Sequence, residues 1–295
     1  MQLALKVDVN TLAGTRDGVP RLLELLRRVD ARATFLFSLG PDRSGAARWR
    51  RRDAEALMNH GGITPLLHGI LLPTPVIGRR GAAAMRRVRD SGLEVGVLSY
   101  DNFGWRERVV RADAAWTERQ IGLACHRFEK IFGDWPRIQG AAGWQTNRHA
   151  LRIAQRFEFD FCSDCRGTHP FWPVVNAELF ACPQLPTTLP TVFETLAFDR
   201  AHPESTVSQL LKLSEFPPAT GHVYTARAEH EGGRYFELFE KLLAGWREMG
   251  YRVIALGELF RQIDLEQLPK HELELGASGS RGSAYARQGT EFLAE

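Results

Sequence analysis

Residues 2–9, QLALKVDV, form a short β-type run that brings Asp8 to its end, immediately before the turn-like pair Asn10-Thr11. A helix follows, because Leu22, Leu23, Leu25, Leu26 and Val29 recur at helical spacing over a basic opposite face. Pro20 stands in its first turn and Asp17 is placed to cap it. Residues 33–39, ATFLFSL, then read as a buried strand closed by Gly40-Pro41. A strand, a crossover helix and a second strand imply a parallel pair.

Working outward, the same alternation returns. Helices are expected near 80–91, 113–132, 147–156, 204–213, 233–249 and 257–263, and strands near 94–99, 137–142, 157–162, 222–225 and 251–255, with an irregular proline-rich stretch from Pro170 to Pro190. Six or seven such units favour an α/β barrel, complete or distorted, over an open doubly wound sheet, and no G-x-G-x-x-G follows the first strand. Barrel chemistry lies at the C-terminal strand ends. Asp8, the segments 98–105, 140–145 and 225–229, and Asp164 all fall there.

The chain of 295 residues has 44% hydrophobic and 25% charged residues, ordinary globular values that exclude collagen-like, coiled-coil and disordered classes. No stretch approaches a membrane span and residues 1–10 do not resemble a signal peptide, so the expected compartment is the cytoplasm. A balance of 38 basic against 35 acidic residues gives no case for nucleic acid. Cys125, Cys162, Cys165 and Cys182 are too irregular for a disulfide framework; Cys162-x-x-Cys165 lacks the second ligand pair of a zinc site and reads as buried thiols. One domain is expected over 1–268, with an insertion at about 41–79 and a flexible tail at 269–295, where Gly276–Gly289 is rich in glycine, serine and arginine. Within the insertion, Arg48-Trp49-Arg50-Arg51-Arg52 and the nearby apolar pairs suit an anionic membrane surface; a solvated helix with a proline-punctuated core segment explains them equally.

Asp8-Val9-Asn10-Thr11, Gly14-Thr15-Arg16, Ala33-Thr34-Phe35, Glu94-Val95-Gly96, Ala142-Gly143-Trp144, Ser163-Asp164-Cys165-Arg166-Gly167 and Val223-Tyr224-Thr225 with Ala228-Glu229 run in order through the chain. Together they resemble the polysaccharide deacetylase (NodB homology) family. The resemblance implies a distorted (β/α) barrel and a metal-dependent amide hydrolysis. In the members it most resembles, this is removal of a formyl group from an aminoarabinose carried on undecaprenyl phosphate, at the cytoplasmic face of the inner membrane. It also implies a base aspartate, a metal-binding aspartate two residues on, two metal-binding histidines at i and i+4, and a late general-acid histidine.

Asp8 stands at the base position, and Asp164 and Arg166 are further retained positions, so these three are the catalytic candidates. The metal positions hold Asn10, Leu98 and Asn102; the arginine after Gly-Trp is Gln145, and the general acid is Arg227. Leucine has no donor atom and neutral amides are weak zinc ligands, so no metal cofactor is expected. Arginine stays protonated and cannot serve as a general acid. The resulting expectation is a hydrolytically silent relative that binds a sugar phosphate or a polyprenyl-linked aminosugar through Arg227, Glu229, Gln145, Trp144, Asn10, Asn102 and Asp101, possessing at most a peripheral attachment to the inner membrane. The alternatives are an active deformylase or deacetylase with relocated ligands such as His68 and His230, and metal-free hydrolysis by two carboxylates among Asp8, Asp101, Asp164 and Glu229.

Overall fold

The parity of QLALKVDV decides what each side of the first strand meets. In the computed structural model, which describes residues 1–45, 74–198, 205–278 and 284–293, Leu3, Leu5, Val7 and Val9 of β1 (Gln2–Val9) are all fully buried. They pack with Leu22, Leu25 and Leu26 of the helix Val19–Arg28 and with Phe35 and Phe37 of β2 (Thr34–Ser38). Side chains alternate along a strand, so Ala4, Lys6 and Asp8 face the other way. Ala4 joins a second cluster with Leu36, Leu98, Cys162, Val223 and Ile254, which is the barrel interior.

The strands that follow are β3 (Glu94–Ser99), β4 (Ile138–Gly140), β5 (Phe161–Ser163), β6 (Trp172–Val175), β7 (Glu178–Leu179), β8 (His222–Arg227), β9 (Arg252–Ile254), β10 (Lys270–Ser278) and β11 (Ala284–Glu291). The main sheet runs in the order β5-β4-β3-β2-β1-β8, with β9 beside the first residues of β1, and every pairing in it is parallel. Helices cross outside it, as parallel neighbours require. The longest among the described residues, Ala114–Phe132, shows how local sequence sets its limits: Asp113 accepts a hydrogen bond from Trp116 N at 2.8 Å to cap the start, and Gly133, at φ +85°, ends it. Such a cap stabilises a helix by about 1 kcal/mol.

Between β5 and β8 the ring is closed by backbone outside any regular strand. Cys162 N donates to Pro183 O (2.9 Å), Leu185 N to Cys162 O (2.8 Å) and Thr188 N to Val223 O (2.9 Å). The irregular, proline-rich reading of this stretch is right about its shape but conceals its role as a stave of the barrel; it also contributes β6 and β7 to a second sheet.

Two expectations are corrected. Asp17 does not cap the first helix: the chain is already helical through a π-turn at Gly14–Gly18, so Asp17 lies inside a continuous run and Gly18 occupies the cap position without a side-chain bond. Within the flexible tail assigned to 269–295, the described residues instead form two antiparallel strands, β10 and β11, and β10 also pairs in parallel with β6. Leu273 of β10 and Ala286 of β11 are buried against Phe171 and Phe180, and this burial outweighs the glycine- and serine-rich composition. The basic cluster Arg48–Arg52 and His68 lie outside the described residues. Among the described residues no helix is long and apolar enough to cross a membrane.

Candidate functional site

Because Asp8 is the last inward-facing residue of β1, it opens at the C-terminal end of the barrel, where the register places it opposite Arg227 of β8. Two residues earlier on the same face stands Lys6. It is wholly buried, its Nζ donates to Ser163 O at 3.1 Å and lies 3.6 Å from Asp8 Oδ1. Burial pushes the Lys6 ammonium down and the Asp8 carboxyl up, each opposed by the other's charge, with Arg227 a further positive influence on Asp8. Sequence reasoning passes over Lys6. The signal that could have found it is parity: two residues from Asp8 in a strand is the same face.

Asp164 follows β5 and is completely inaccessible; burial raises its carboxyl to about 7 against the pull of Lys6. Its backbone N–H donates to Gln184 Oε1 at 3.0 Å. Arg166, two residues on, is held from both sides by backbone: its N–H donates to Ala286 O (2.9 Å) and its carbonyl accepts from Gln288 N (2.8 Å). Its guanidinium pairs with Glu194 at 3.0 Å.

Trp144 is the hub. The sequence Ala142-Gly143-Trp144 turns tightly after β4, with Gly143 at φ +66° and Trp144 at φ +53°. A left-handed tryptophan costs on the order of 1–3 kcal/mol, and such strain persists only where the surroundings hold it. Here Trp144 Nε1 donates to Thr187 Oγ1 (3.0 Å), and three cations face the indole: Arg166 Cζ at 4.7 Å, Arg227 Cζ at 5.5 Å and Lys6 Nζ at 5.8 Å from the ring centroid. Gln145 is buried next to it; its carbonyl accepts from Trp105 Nε1 at 2.7 Å, while its Oε1 has no hydrogen-bond partner among the described residues.

The positions that the family resemblance assigns to a metal, Asn10, Leu98 and Asn102, hold two linked amides and a leucine. Asn102 Nδ2 donates to Asn10 Oδ1 (2.8 Å) and to Ser38 Oγ (3.1 Å), and Asn10 Nδ2 donates to Glu229 Oε2 (3.1 Å). Glu229 Oε1 accepts from the backbone N–H groups of Asn10 and Thr11, both at 2.7 Å, and from Thr11 Oγ1 at 3.0 Å. Leu98 is 2% exposed and packs in the barrel interior. Neutral amides, of which Asn10 already has its oxygen engaged by Asn102 Nδ2, a carboxylate that accepts four hydrogen bonds and a leucine make a poor zinc, iron or manganese site. No group of three or more His, Cys, Asp or Glu side chains among the described residues could hold a metal ion.

The remaining candidates have local duties. Asp101 caps the helix Asn102–Arg108 by accepting from Gly104 N (2.9 Å), and pairs with Arg43 at 3.2 Å. With Glu229 saturated as well, two of the four carboxylates considered for metal-free hydrolysis are engaged in holding the rim. His230 is buried between Phe193 and Tyr235, and burial drives its imidazole down to about 3, so it stays neutral. All four cysteines are free and buried, with Cys162 Sγ 3.6 Å from Cys182 Sγ.

A curled parallel sheet with an acid at the end of its first strand and framework residues on each following strand end defines the polysaccharide deacetylase class of barrel. Solved structures agree on the fold. A Bacillus anthracis CE4 family pseudoenzyme superposes with TM-score 0.53 at 16% identity, covering 92% of this chain and 69% of that one. A family 4 carbohydrate esterase from Streptomyces lividans in complex with acetate gives 0.50 at 12% identity over 85% and 90%. No protein-family model matches the sequence. Among curated proteins, a Shewanella sediminis (strain HAW-EB3) chain named "Probable 4-deoxy-4-formamido-L-arabinose-phosphoundecaprenol deformylase ArnD" is 31% identical over 292 residues, 95% of this chain and 93% of that one. A like-named protein of Wigglesworthia glossinidia brevipalpis is 28% identical over 88% and 93%. This chain belongs to the ArnD deformylase family.

Proposed function

We propose that this chain is a non-hydrolytic member of its family that retains the binding half of the activity: it holds a polyprenyl-phosphate-linked aminosugar, or a related sugar phosphate, at the barrel mouth. The relatives are named for deformylation of such a lipid-linked sugar. The observation that carries the reading is the 2.8 Å bond from Asn102 Nδ2 to Asn10 Oδ1, which engages the one side-chain oxygen that Asn10 could offer a metal. Without a Lewis acid the amide carbonyl is not polarised and water is not activated. Arg227, at the end of β8, supplies a fixed positive charge in place of a proton donor. The peripheral membrane attachment belongs to the same reading and rests on the basic segment Arg48–Arg52.

Metal analysis of the purified chain, together with a deformylation assay on N-formyl aminosugar substrates with and without chelator, tests this. The expected result is substoichiometric metal and no turnover. One bound metal per chain with chelator-sensitive turnover overturns the reading.

A further inference from the structure

Two histidine rings meet where β10 and β11 dock on the segment that follows β5. His169 lies in that segment, before β6, and His271 is the second residue of β10. Their Nε2 atoms are 3.1 Å apart, with ring centroids at 4.9 Å and planes at 70°. We propose that this pair is a proton-operated latch: one proton between the two Nε2 atoms closes it, and a second loosens β10 and β11 from the barrel. The inference is independent of whether the chain hydrolyses an amide or holds a metal.

Fixed partners decide where the protons sit. Gly289 O can only accept, so His271 Nδ1, 3.0 Å away, carries a proton. Gln288 Oε1 accepts from Thr168 N at 2.8 Å, which makes the atom 3.0 Å from His169 Nε2 the Gln288 amide nitrogen. An amide nitrogen only donates, so His169 Nε2 is bare and its ring proton lies on Nδ1, 2.9 Å from Thr168 Oγ1. The Thr168 hydroxyl accepts there and sends its own proton to Gln288 Oε1 at 3.3 Å. Each ring thus spends its Nδ1–H on a fixed acceptor and turns Nε2 toward the other. With no further proton, two lone pairs face each other across 3.1 Å. One proton lets His271 Nε2–H donate to His169 Nε2 and satisfies the whole network. A second sets N–H against N–H, with the Gln288 amide also donating into the same place, and the contact becomes repulsive.

Gln288 ties the pair to the barrel. Its side chain joins Thr168 and His169, while its backbone N–H donates to Arg166 O at 2.8 Å, so a disturbance at the rings reaches the strand that holds Arg166. On β11, Glu291 stands in register with His271 and favours a proton on His169, whereas Arg287 is paired with Glu274 of β10. Lys270 and Glu272, on either side of His271, are exposed on the opposite face of β10. Arg166 is paired with Glu194. Phe171 packs edge-on against His271, and the β6 residues opposite it, Trp172, Pro173 and Val174, carry no charge. Burial first, then the charge of His271, hold the His169 imidazole below its ordinary range. An imidazole that takes its proton less readily docked than released costs docking stability as pH falls below about 6.5. The proton between the rings acts with the opposite sign, since docking that needs it weakens as pH rises past the same value. Docking is therefore strongest in the middle and looser on both sides.

Two measurements on the full-length chain test the latch. Nitrogen-15 labelling of histidine, with resonances assigned from the backbone, shows which ring nitrogens carry protons. Near neutral pH, His169 is expected as the Nδ1–H form, the minority tautomer of free histidine, and the two rings should titrate in steps that belong to the pair. Hydrogen exchange of the β11 amides, corrected for the intrinsic effect of pH and referred to the β1 amides, is then followed at about pH 5, about pH 6.5 and about pH 8. Relative protection of β11 should peak at the middle value, fall about fivefold or more toward the acid end and fall again toward the alkaline end. His169→Gln should abolish the acid limb, because glutamine can accept from Gln288 and His271 but takes no proton. His271→Gln should abolish it too, by leaving His169 no like charge to meet. A wild-type chain whose neutral His169 carries its proton on Nε2 refutes the latch, whatever the variants do. So does β11 protection that is flat across the three pH values or rises steadily toward acid. It is equally refuted if a His169→Gln chain, with a neutral-pH thermal midpoint within a few degrees of wild type, keeps the full acid limb.

Discussion

Replacing Asp164 by asparagine should flatten the pH dependence of stability by a calculable amount. Asp164 is fully buried and its folded carboxyl is raised to about 7, against roughly 4 in an unfolded chain. A raised acid binds more protons folded than unfolded, so stability is greatest below the unfolded value and is lost as pH rises through the folded one. Between about pH 6.5 and pH 8 this group alone removes about 0.8 kcal/mol. Glu231, raised by burial to the same value, removes a similar amount, giving roughly 1.6 kcal/mol for the two. His230, held down to about 3, contributes with the opposite sign over the lower part of that range. It is present in both proteins, so the difference between wild type and Asp164→Asn cancels it. Urea unfolding followed by tryptophan fluorescence at the two pH values, with m-values checked for constancy, measures that difference. The expected result is a variant that loses about 0.8 kcal/mol less than wild type across the interval. An unchanged pH slope in Asp164→Asn would refute the idea that this carboxyl is ionised only under strain.

Lys6→Met strands the Asp8 carboxylate in the interior and should cost about 3–5 kcal/mol in chemical denaturation at neutral pH, while Lys6→Met combined with Asp8→Leu should cost less than the summed singles; additive costs would show that the pair is not coupled. Asn10→Asp alone should destabilise without binding metal, because it removes the Nδ2 donor to Glu229 and sets a second carboxylate against it; calorimetric metal titration checks this. The set Asn10→Asp, Leu98→His, Asn102→His, Gln145→Arg and Arg227→His should recover metal binding only when combined, since residues that act as a unit are not additive. A tight site from Leu98→His alone would show the geometry to be wrong. At Gly14, an added Cβ would fall 2.2 Å from Glu229 Oε1, so Gly14→Ala should dislodge that carboxylate and cost about 1–3 kcal/mol in thermal or urea unfolding.

Much of this architecture was legible in the chain because its causes are local. The helix Ala114–Phe132 follows from its periodicity, Asp113 and Gly133; β3 follows from a run of six residues between turn signals. Barrel logic then collects Asp8, Trp144, Asp164 and Arg227 at one end, and the structure places them there. What escaped reading has distant causes. The stave at 183–189 has no period of its own, since its backbone bonds go to Cys162 on one side and Val223 on the other. The hairpin of β10 and β11 was masked by glycine and serine, and its order comes from docking on β6, about a hundred residues earlier. Lys6 goes unnoticed until the lumen parity of β1 is known. The neutralisation of Asp8 escaped reading too: Lys6 lies 3.6 Å from its Oδ1, and Arg227 stands opposite it in register.

The clamp on Arg166 also sets when the mouth can be completed. Ala286 and Gln288, which hold its backbone, lie on β11, downstream of every strand of the main sheet. Synthesis runs from the other end, so every strand of the main sheet leaves the ribosome before the residues that fix this arginine. A nascent chain can therefore assemble its sheet while one side of its mouth is still unanchored. The anchoring of Arg166 is deferred until β11 has been made, and a chain truncated before Ala284 would keep every strand of its main sheet without that anchor.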